Sequence, residues 1–185
     1  GLGDVYKRQR QYLFSRLMED PPTIKADECR AFLNKFSSLL LASSDAVGVP
    51  EISYSPFVME DESFFILVSE LSKHTGNLRE RSRVSAMLIE DEDDAANIYT
   101  RRRLILHCAI KEHRREGKRW SELLPLFKSE FGDIVTIIKT LTDFVLFELQ
   151  PLDGRWITGF GAAFTFDRLD FSNAEHVGPT QLRGQ

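Results

Sequence analysis

Apolar residues recur along this chain with two different periods, and their arrangement predicts short strands interrupted by short helices. Residues 51–58 alternate between apolar and polar positions, and after an acidic turn the segment Phe64–Val68 is apolar throughout. Alternation indicates a strand with one buried face, whereas a short continuous apolar run indicates a strand buried on both faces. Pro56 has no amide hydrogen to donate, so its strand is expected at a sheet edge, at a bulge or beside a site.

Other apolar residues are spaced by three and four positions, which is the spacing of one helix face. Cys29 and Phe32 predict a helix over Thr23–Phe36 that is capped by its first residue, and Trp120 belongs to a later helix that Ser121 would cap. The other predicted helices cover residues 72–81, 95–99 and 134–141, and the other strands cover residues 38–44, 84–89, 104–110, 144–149 and 156–166. Short strands with brief helices favour a closed antiparallel barrel over a parallel sheet, so the predicted class is mainly β with flanking helices (α+β).

Length and composition narrow the class of protein. With 185 residues, 42% of them hydrophobic, the chain is long enough for one domain or for one protomer of an intertwined dimer. Its net charge of −4 gives no general attraction to nucleic acid or to anionic membranes. No apolar run approaches the roughly 18 residues that span a bilayer, and a signal pattern is missing, so a soluble cytoplasmic protein is expected. Cys29 and Cys108 have no CxxC pattern and no histidine at ligand spacing, which favours two reduced thiols.

The two ends of the chain are expected to lie outside the main domain. The first residue is not methionine, and residues 1–9 resemble a translated adapter sequence, so they are interpreted as non-native. Residues 10–22 are interpreted as the remnant of a helix that Pro21 and Pro22 end. The barrel domain is predicted over residues 23–166, and residues 167–185 are expected to form a polar tail of doubtful order.

The sequence has none of the common signatures of serine hydrolases, nucleotide-binding loops, zinc proteases or paired zinc cysteines. Polar residues at the start of the helix after Phe64–Val68 form the first candidate site, because free amides and the helix dipole favour phosphate or carboxylate there. These candidates are Lys73, His74, Thr75 and Asn77. The alternative is an ordinary helix start with a solvated polar face.

A second candidate site is the arginine cluster Arg101–Arg103. Arg101 and Arg103 would point to the same side of an entering strand and could hold a carboxylate, while Arg102 would face away. The alternative is that these arginines balance the acidic run Glu90–Asp94. That run lacks the glycine and the spacing of a calcium loop and is interpreted as a solvated turn or helix start.

The remaining candidates are single residues. His107 lies among apolar residues and is expected to be a satisfied core histidine, whereas His113 lies in a charged run and is expected to be solvated. His176 lies in the tail, where a histidine is usually unstructured but can also serve as a flexible ligand to a metal cofactor. Asp143 precedes an apolar strand, and its ordinary role is that of a turn or capping carboxylate.

Several motifs together resemble one known family. They are SYSPFV at 53–58, FFILVSELSKHTGNL at 64–78, MLIEDE at 87–92, RRRL at 101–104, FGDI at 131–134, LTDFVLFELQP at 141–151 and GFGAAF at 159–164. Their number and order make residues 39–166 similar to the heme-utilisation proteins of the HugZ/HutZ type. These proteins belong to the FMN-binding split β-barrel clan, which also contains pyridoxamine phosphate oxidase.

The resemblance implies a homodimeric split antiparallel β-barrel that binds heme at the dimer interface and degrades it oxidatively to release iron, with an unidentified electron donor. It also implies that His176 coordinates the heme iron. Asp143 would support this histidine by a hydrogen bond across the dimer, which would fix the imidazole tautomer. Arg101, Arg103 and Lys73 are then the expected cations for the heme propionates.

Two other functions fit the same fold. In the flavin oxidases of the clan, the FMN phosphate is held by cations on the strand before the hairpin and by a serine–lysine turn after it. This chain keeps Ser72 and Lys73 but has no cation at residues 53–57, and it lacks the arginine-rich C-terminal signature of those oxidases. A non-catalytic heme carrier or storage protein would use His176 without turnover. Heme is therefore the expected ligand, with FMN as the alternative cofactor.

Overall fold

Residues 24–177 are described by a computed structural model and form one antiparallel sheet of nine strands with four α-helices around it. The strands are β1 Ser38–Ser44, β2 Pro50–Pro56, β3 Val58–Glu60, β4 Ser63–Ser69, β5 Arg83–Ile89, β6 Arg103–His113, β7 Phe144–Gly159, β8 Ala162–Asp167 and β9 Glu175–His176. The helices are α1 Ala26–Leu33, α2 Lys73–Glu80, α3 Lys118–Phe131 and α4 Ile134–Thr140. Single turns of 3-10 helix lie at Phe171–Asn173 and at Ile98–Thr100, where a helix over residues 95–99 was predicted. The predicted antiparallel, mainly β fold is confirmed.

The 16-residue strand β7 is the central strand of the fold. One of its edges pairs with β6, whereas the other edge pairs with β4 through residues 144–149 and with β8 through residues 153–159. Because β7 serves two strands in succession along one edge, the sheet divides there, as expected for a split barrel. The strand order is β2-β1-β5-β6-β7-β4-β3, with β8 added on β7 and β9 on β8. A side chain at Gly154 would collide with Phe166 and with the carbonyl of Ile105, so glycine is needed at this close approach.

The burial of β4 explains why its sequence is apolar throughout. Phe64, Ile66 and Val68 point into the main core, which includes the inner face of α1. Phe65 and Leu67 point to the opposite face and belong to a second core, which is formed with side chains of α3. Burying a large apolar side chain contributes about 1.5–3 kcal/mol, so both cores hold β4 between them. The prediction of a strand buried on both faces is confirmed.

Within residues 24–177, β2 pairs with β1 alone and is therefore an edge strand, as Pro56 predicts. Its apolar side chains Ile52 and Tyr54 are 72% and 67% exposed, whereas Ser55 is buried. A strand edge with exposed large apolar side chains is a typical surface for contact with another chain.

Two helices begin at different residues from those predicted. α1 begins at Ala26, and the predicted cap Thr23 lies outside the described residues. α3 begins at Lys118, so Ser121 lies inside the helix, and its hydroxyl donates a 3.1 Å hydrogen bond to the carbonyl of Gly117. A serine in the first turn can satisfy a backbone carbonyl as well as cap a helix, and its position in the sequence does not distinguish the two roles.

The segment after β8 is better packed than its polar sequence predicts. Leu169 and Phe171 are buried in the main core, and Glu175 and His176 form β9 on β8. Two buried apolar side chains and the pairing of β9 with β8 therefore anchor this return of the chain, and the expectation of doubtful order is wrong for residues 168–177. Residues 1–9, interpreted as non-native, and residues 10–22, interpreted as a helix remnant, lie outside the described residues. In the part from 24 to 177, no helix is long and apolar enough to cross a membrane.

Candidate functional site

The fold divides the seven predicted site residues into two groups at opposite ends of β7. The α2 group lies where β7 begins and consists of Asp143, Lys73, His74 and Asn77. The β9 group lies where β7 ends and consists of Arg101, Arg103 and His176. A strand rises about 3.3 Å per residue, so the 16 residues of β7 correspond to about 50 Å of strand length. One chain does not bring the two groups together.

Asp143 connects the beginning of β7 to the segment before α2. Its carboxylate accepts a 2.5 Å hydrogen bond from the hydroxyl of Ser69, and its carbonyl accepts a 2.8 Å bond from the amide of Glu70. Within one chain, Asp143 is thus a turn carboxylate that stabilises the β4–α2 connection. A hydrogen bond from Asp143 to His176 requires a second chain.

Three polar side chains of α2 face the protein interior. His74, Thr75 and Asn77 are buried, and Lys73 is exposed. Thr75 donates a 2.6 Å hydrogen bond to the carbonyl of Ser69, and Asn77 donates a 3.0 Å bond to a serine hydroxyl of β1. The helical period places residues 74, 75 and 77 on the face that packs on the sheet. Of the predicted anion site, only Lys73 therefore presents its side chain to solvent.

His74 is 9% exposed, and its Nε2 atom has no hydrogen-bond partner within residues 24–177. Burial lowers the pKa of His74 below its usual value, while the charge of Glu51 acts in the opposite direction. Protonation of this imidazole is therefore less favourable in the folded than in the unfolded chain. The stability that neutral His74 contributes is present above the unfolded pKa of about 6.5 and is lost as the pH falls toward the folded value.

We expect the free energy of unfolding of the protein to decrease as the pH is lowered from about 7.5 to about 5. The decrease should be smaller in His74→Gln, which keeps a polar side chain but removes the titrating imidazole. Urea unfolding of both proteins at a series of pH values measures the difference. The same pH dependence in the two proteins would show that His74 is not responsible.

The arginine cluster is paired with the acidic run that precedes it. Arg101 donates a 2.8 Å hydrogen bond to the carbonyl of Glu90 and forms a 3.0 Å ion pair with Glu92. Arg102 has a partly exposed side chain and binds the carboxylate of Glu90, which is 8% exposed. Arg103 donates a 2.9 Å bond to the carbonyl of Arg101. The interpretation that these arginines balance the acidic run is confirmed for Arg101, and Arg102, which was expected to face away, also pairs with the run.

Removing the Arg102 guanidinium is expected to destabilise the protein. The hydrogen bond from Arg102 holds the pKa of Glu90 below its usual value, although burial acts against this. Arg102→Met would leave the buried carboxylate of Glu90 without its charged partner and with only the backbone amide of residue 102 as a donor. Hydrogen bonds to charged groups contribute about 1.5–3 kcal/mol, so the free energy of unfolding should fall by that amount. Arg103→Met is the matched control and should cost less than about 1 kcal/mol, because the change leaves no buried charge without its partner. Equal losses in chemical unfolding of the two variants would contradict this account.

His176 lies in β9, next to the turn that joins β7 to β8. It is paired with Phe164 across the strands, and the two rings meet edge to face with centroids 5.5 Å apart. Its Nε2 atom lies 2.6 Å from the carbonyl oxygen of Gly161. Phe160 in the same turn is 69% exposed. Sequence reasoning missed Phe160, although a lone aromatic residue between two glycines at a strand end was a signal for an exposed apolar side chain.

The strand register places Arg103 at the same end of the sheet as this turn. Arg103 is opposite Ile157 in the β6–β7 pair, and Ile157 is opposite Ala163 in the β7–β8 pair. Neighbouring strands are about 4.8 Å apart, so the backbones of Arg103 and Ala163 are about 10 Å apart. One turn therefore has three groups near it, which are the imidazole of His176, the exposed ring of Phe160 and the guanidinium-bearing residue Arg103.

Two other histidines differ from their predicted environments. His107 lies on the outer face of the sheet, where its Nδ1 atom is 2.6 Å from Asp153 and the pair lines an open polar cleft of about 600 Å³. It is satisfied, as predicted, but it is not in the core. His113 was expected to be solvated, but its side chain is 11% exposed and lies 2.7 Å from Glu148. Burial raises the pKa of Glu148, but hydrogen bonds from Gln150 and His113 keep it below its usual value.

Cys29 and Cys108 are both free and buried. Burial raises the pKa of each thiol to about 12, so very little thiolate forms at neutral pH. In the part of the chain from 24 to 177, both cysteines are thus buried and far from forming thiolate nucleophiles.

Comparisons with known sequences identify relatives over most of the chain. The sequence profile of the pyridoxamine 5'-phosphate oxidase family matches residues 26–157. The heme oxygenase HutZ of Vibrio cholerae serotype O1 is 36% identical over 151 residues, which cover 80% of this chain and 86% of HutZ.

Solved structures show the same architecture. The crystal structure of Vibrio cholerae HutZ, which is named for heme storage, matches this chain with a TM-score of 0.65 and 36% sequence identity. The match covers 68% of this chain and 88% of the HutZ chain. The structure of ChuZ from Campylobacter jejuni matches with a TM-score of 0.75 and 30% sequence identity. This match covers 83% of this chain and 62% of the ChuZ chain. A heme binding protein of Mycobacterium smegmatis is 17% identical with a TM-score of 0.68, which is a likeness of fold alone.

Proposed function

Because the chain belongs to the pyridoxamine 5'-phosphate oxidase family and, within it, to the group that contains HutZ, we propose that it binds heme and degrades it oxidatively to release iron. HutZ is named a heme oxygenase, and its crystal structure is named for heme storage. Both names concern heme, and they differ in whether heme is consumed. Turnover therefore needs its own experiment.

The observation that carries the proposal is the set of side chains around the turn between β7 and β8. A heme site needs a nitrogen ligand for iron, an apolar surface for the macrocycle and cations for the two propionates. His176 supplies an imidazole, Phe160 supplies an exposed aromatic ring, and Arg103 supplies a cation at the same end of the sheet. The residues present therefore fit the group.

Heme would be the substrate, and its iron supplies the oxygen chemistry when heme is bound. The residues of the chain would bind and orient it. His176 would bind the iron, Phe160 would cover part of the ring and exclude water, and Arg103 would orient a propionate. Arg101 is already paired with Glu90 and Glu92 and would contribute positive charge without a free guanidinium edge. Electrons would come from a separate donor.

A homodimer is part of the proposal, because it would unite the two groups that one chain separates. A two-fold axis can place the α2 group of one chain beside the β9 group of the other. Asp143 could then reach His176, and Lys73 could reach a propionate. The exposed side chains Ile52 and Tyr54 on the edge strand β2 offer apolar surface for such a contact.

Hemin and FMN titrations of the purified protein test the proposal against its main alternative. We expect hemin to give a shifted Soret band and FMN to keep its fluorescence, since β2 carries no cation between Pro50 and Pro56. Quenching of FMN fluorescence without a heme spectrum would overturn the proposal in favour of a flavin oxidoreductase. Adding ascorbate under oxygen then separates an enzyme from a carrier, because only an enzyme would lose the Soret band.

A further inference from the structure

A hydrogen bond occupies the outer nitrogen of His176. The Nε2 atom lies 2.6 Å from the carbonyl oxygen of Gly161. A carbonyl oxygen only accepts hydrogen bonds, so Nε2 carries the hydrogen, and the lone pair of the neutral ring is on Nδ1. A nitrogen that binds a metal must be free of hydrogen. Binding of iron by Nε2 and this hydrogen bond therefore exclude each other.

Other contacts keep the imidazole in this position. The ring packs against the edge of Phe164, and β9 is held on β8 by pairing and by a 2.8 Å hydrogen bond from the amide of Val177 to the carbonyl of Ala163. Gly161 has a φ of +66°, a conformation that favours glycine and that sets the direction of the turn. The bond to His176 is thus a consequence of how the turn folds.

We infer that Gly161 is a positioning residue that holds His176 in a closed state, and that heme uptake exchanges the Gly161 hydrogen bond for a bond between Nε2 and iron. In this exchange Nε2 releases its proton to solvent and Nδ1 takes up a proton from solvent, so the imidazole stays neutral and only its tautomer changes. Nε2 is the atom that a large macrocycle can approach, because Nδ1 is next to the side chain's own backbone. The identity of the ligand rests on the proposed function, whereas the closed state exists without heme. If only the open fraction of chains binds, the apparent affinity is reduced by that fraction.

Two glycines of the same turn provide a matched pair of variants. A side chain added at Gly159 or at Gly161 would meet nothing within 4 Å, so neither substitution causes a clash. Only Gly161 has a positive φ, so Gly161→Ala strains the turn and displaces its carbonyl, whereas Gly159→Ala makes the same chemical change without that strain.

The first test uses the heme-free protein with ¹⁵N-labelled histidine and NMR, with His176→Ala to assign the signals. We expect His176 to be protonated at Nε2 in the wild type and in Gly159→Ala, and to populate both tautomers in Gly161→Ala. A wild-type His176 protonated at Nδ1, or identical spectra for the two glycine variants, would overturn the closed state.

The second test follows the rate of hemin binding by stopped-flow absorbance. The wild-type rate should reach a plateau at high hemin concentration, set by opening, and Gly161→Ala should raise it about fivefold, which corresponds to losing a hydrogen bond of about 1 kcal/mol. A rate that rises linearly with hemin concentration in both proteins would overturn the exchange step.

Gallium protoporphyrin, a diamagnetic substitute for heme, allows the bound state to be followed by NMR. When it binds, Nε2 of His176 should lose its hydrogen, and a retained Nε2 hydrogen would contradict the inference. If no porphyrin binds while the Nε2 tautomer is present, the proposed function fails and the closed state stands.

Discussion

Replacing His176 with alanine is expected to weaken hemin binding by more than about 100-fold, because even the residues that support a metal ligand contribute about 10- to 100-fold. The shifted Soret band of the wild type should be absent at equal hemin concentration. His176 packs on Phe164 at the surface of β9, outside both cores. The variant should therefore fold, with an unchanged far-UV circular dichroism spectrum. Hemin titrations followed at the Soret band measure the loss.

His107→Ala is the matched control for this experiment. His107 is also a partly exposed histidine with a hydrogen-bonded neighbour, but it lines the cleft on the outer face of the sheet. We expect it to bind hemin as the wild type does. Wild-type affinity in His176→Ala, or a comparable loss in His107→Ala, would contradict the assignment of His176 as the iron ligand.

A mixed dimer of a His176→Ala chain and an Asp143→Asn chain is expected to recover one wild-type heme site, although each homodimer of these variants binds heme poorly. If every site combines His176 of one chain with Asp143 of the other, both changes fall in one site and the second site is intact. Differently tagged chains allow the mixed dimer to be purified. Hemin titration should then give one heme per dimer with wild-type affinity. No recovery would mean that each site lies within one chain.

The reverse arrangement is the control. A dimer of one wild-type chain and one His176→Ala/Asp143→Asn chain places one change in each site, so both sites should be weakened. Ser69→Ala provides a second control, because it removes the partner of Asp143 within the chain and leaves the carboxylate in place. If Ser69→Ala lowers hemin affinity as much as Asp143→Asn, the effect of Asp143 arises from the β4–α2 connection and not from His176.

Local sequence patterns predicted most elements of this fold, but the single strand predicted over residues 156–166 is in fact the end of β7, a turn and β8. The apolar run of β4 correctly indicated burial on both faces, and Pro56 correctly indicated an edge strand, because both inferences depend only on side-chain alternation and on a missing amide hydrogen. Environments that depend on distant residues were predicted poorly. His113 was expected in solvent because its sequence neighbours are charged, yet its partner Glu148 is 35 residues away and lies on the adjacent strand.

The same distinction applies to the candidate site. The sequence named Lys73, His74 and Asn77 as one polar set, and the helical period in fact turns two of them toward the sheet. It named Arg101 and Arg103 as a pair of cations, and tertiary contacts bind Arg101 to the acidic run. Phe160 was overlooked, although its position between two glycines at a strand end was a signal for exposure.

By itself, the sequence determined that this protein is an antiparallel β-barrel with flanking helices and that its candidate chemistry rests on a few histidines and arginines. Periodicity and residue type are local properties, and they are sufficient for those conclusions. Only the tertiary structure decided that β7 separates the candidate residues into two groups and that the carbonyl of Gly161 occupies the outer nitrogen of His176. Both results depend on strand register and on the path of the chain after β8, which bring together residues that the sequence keeps apart.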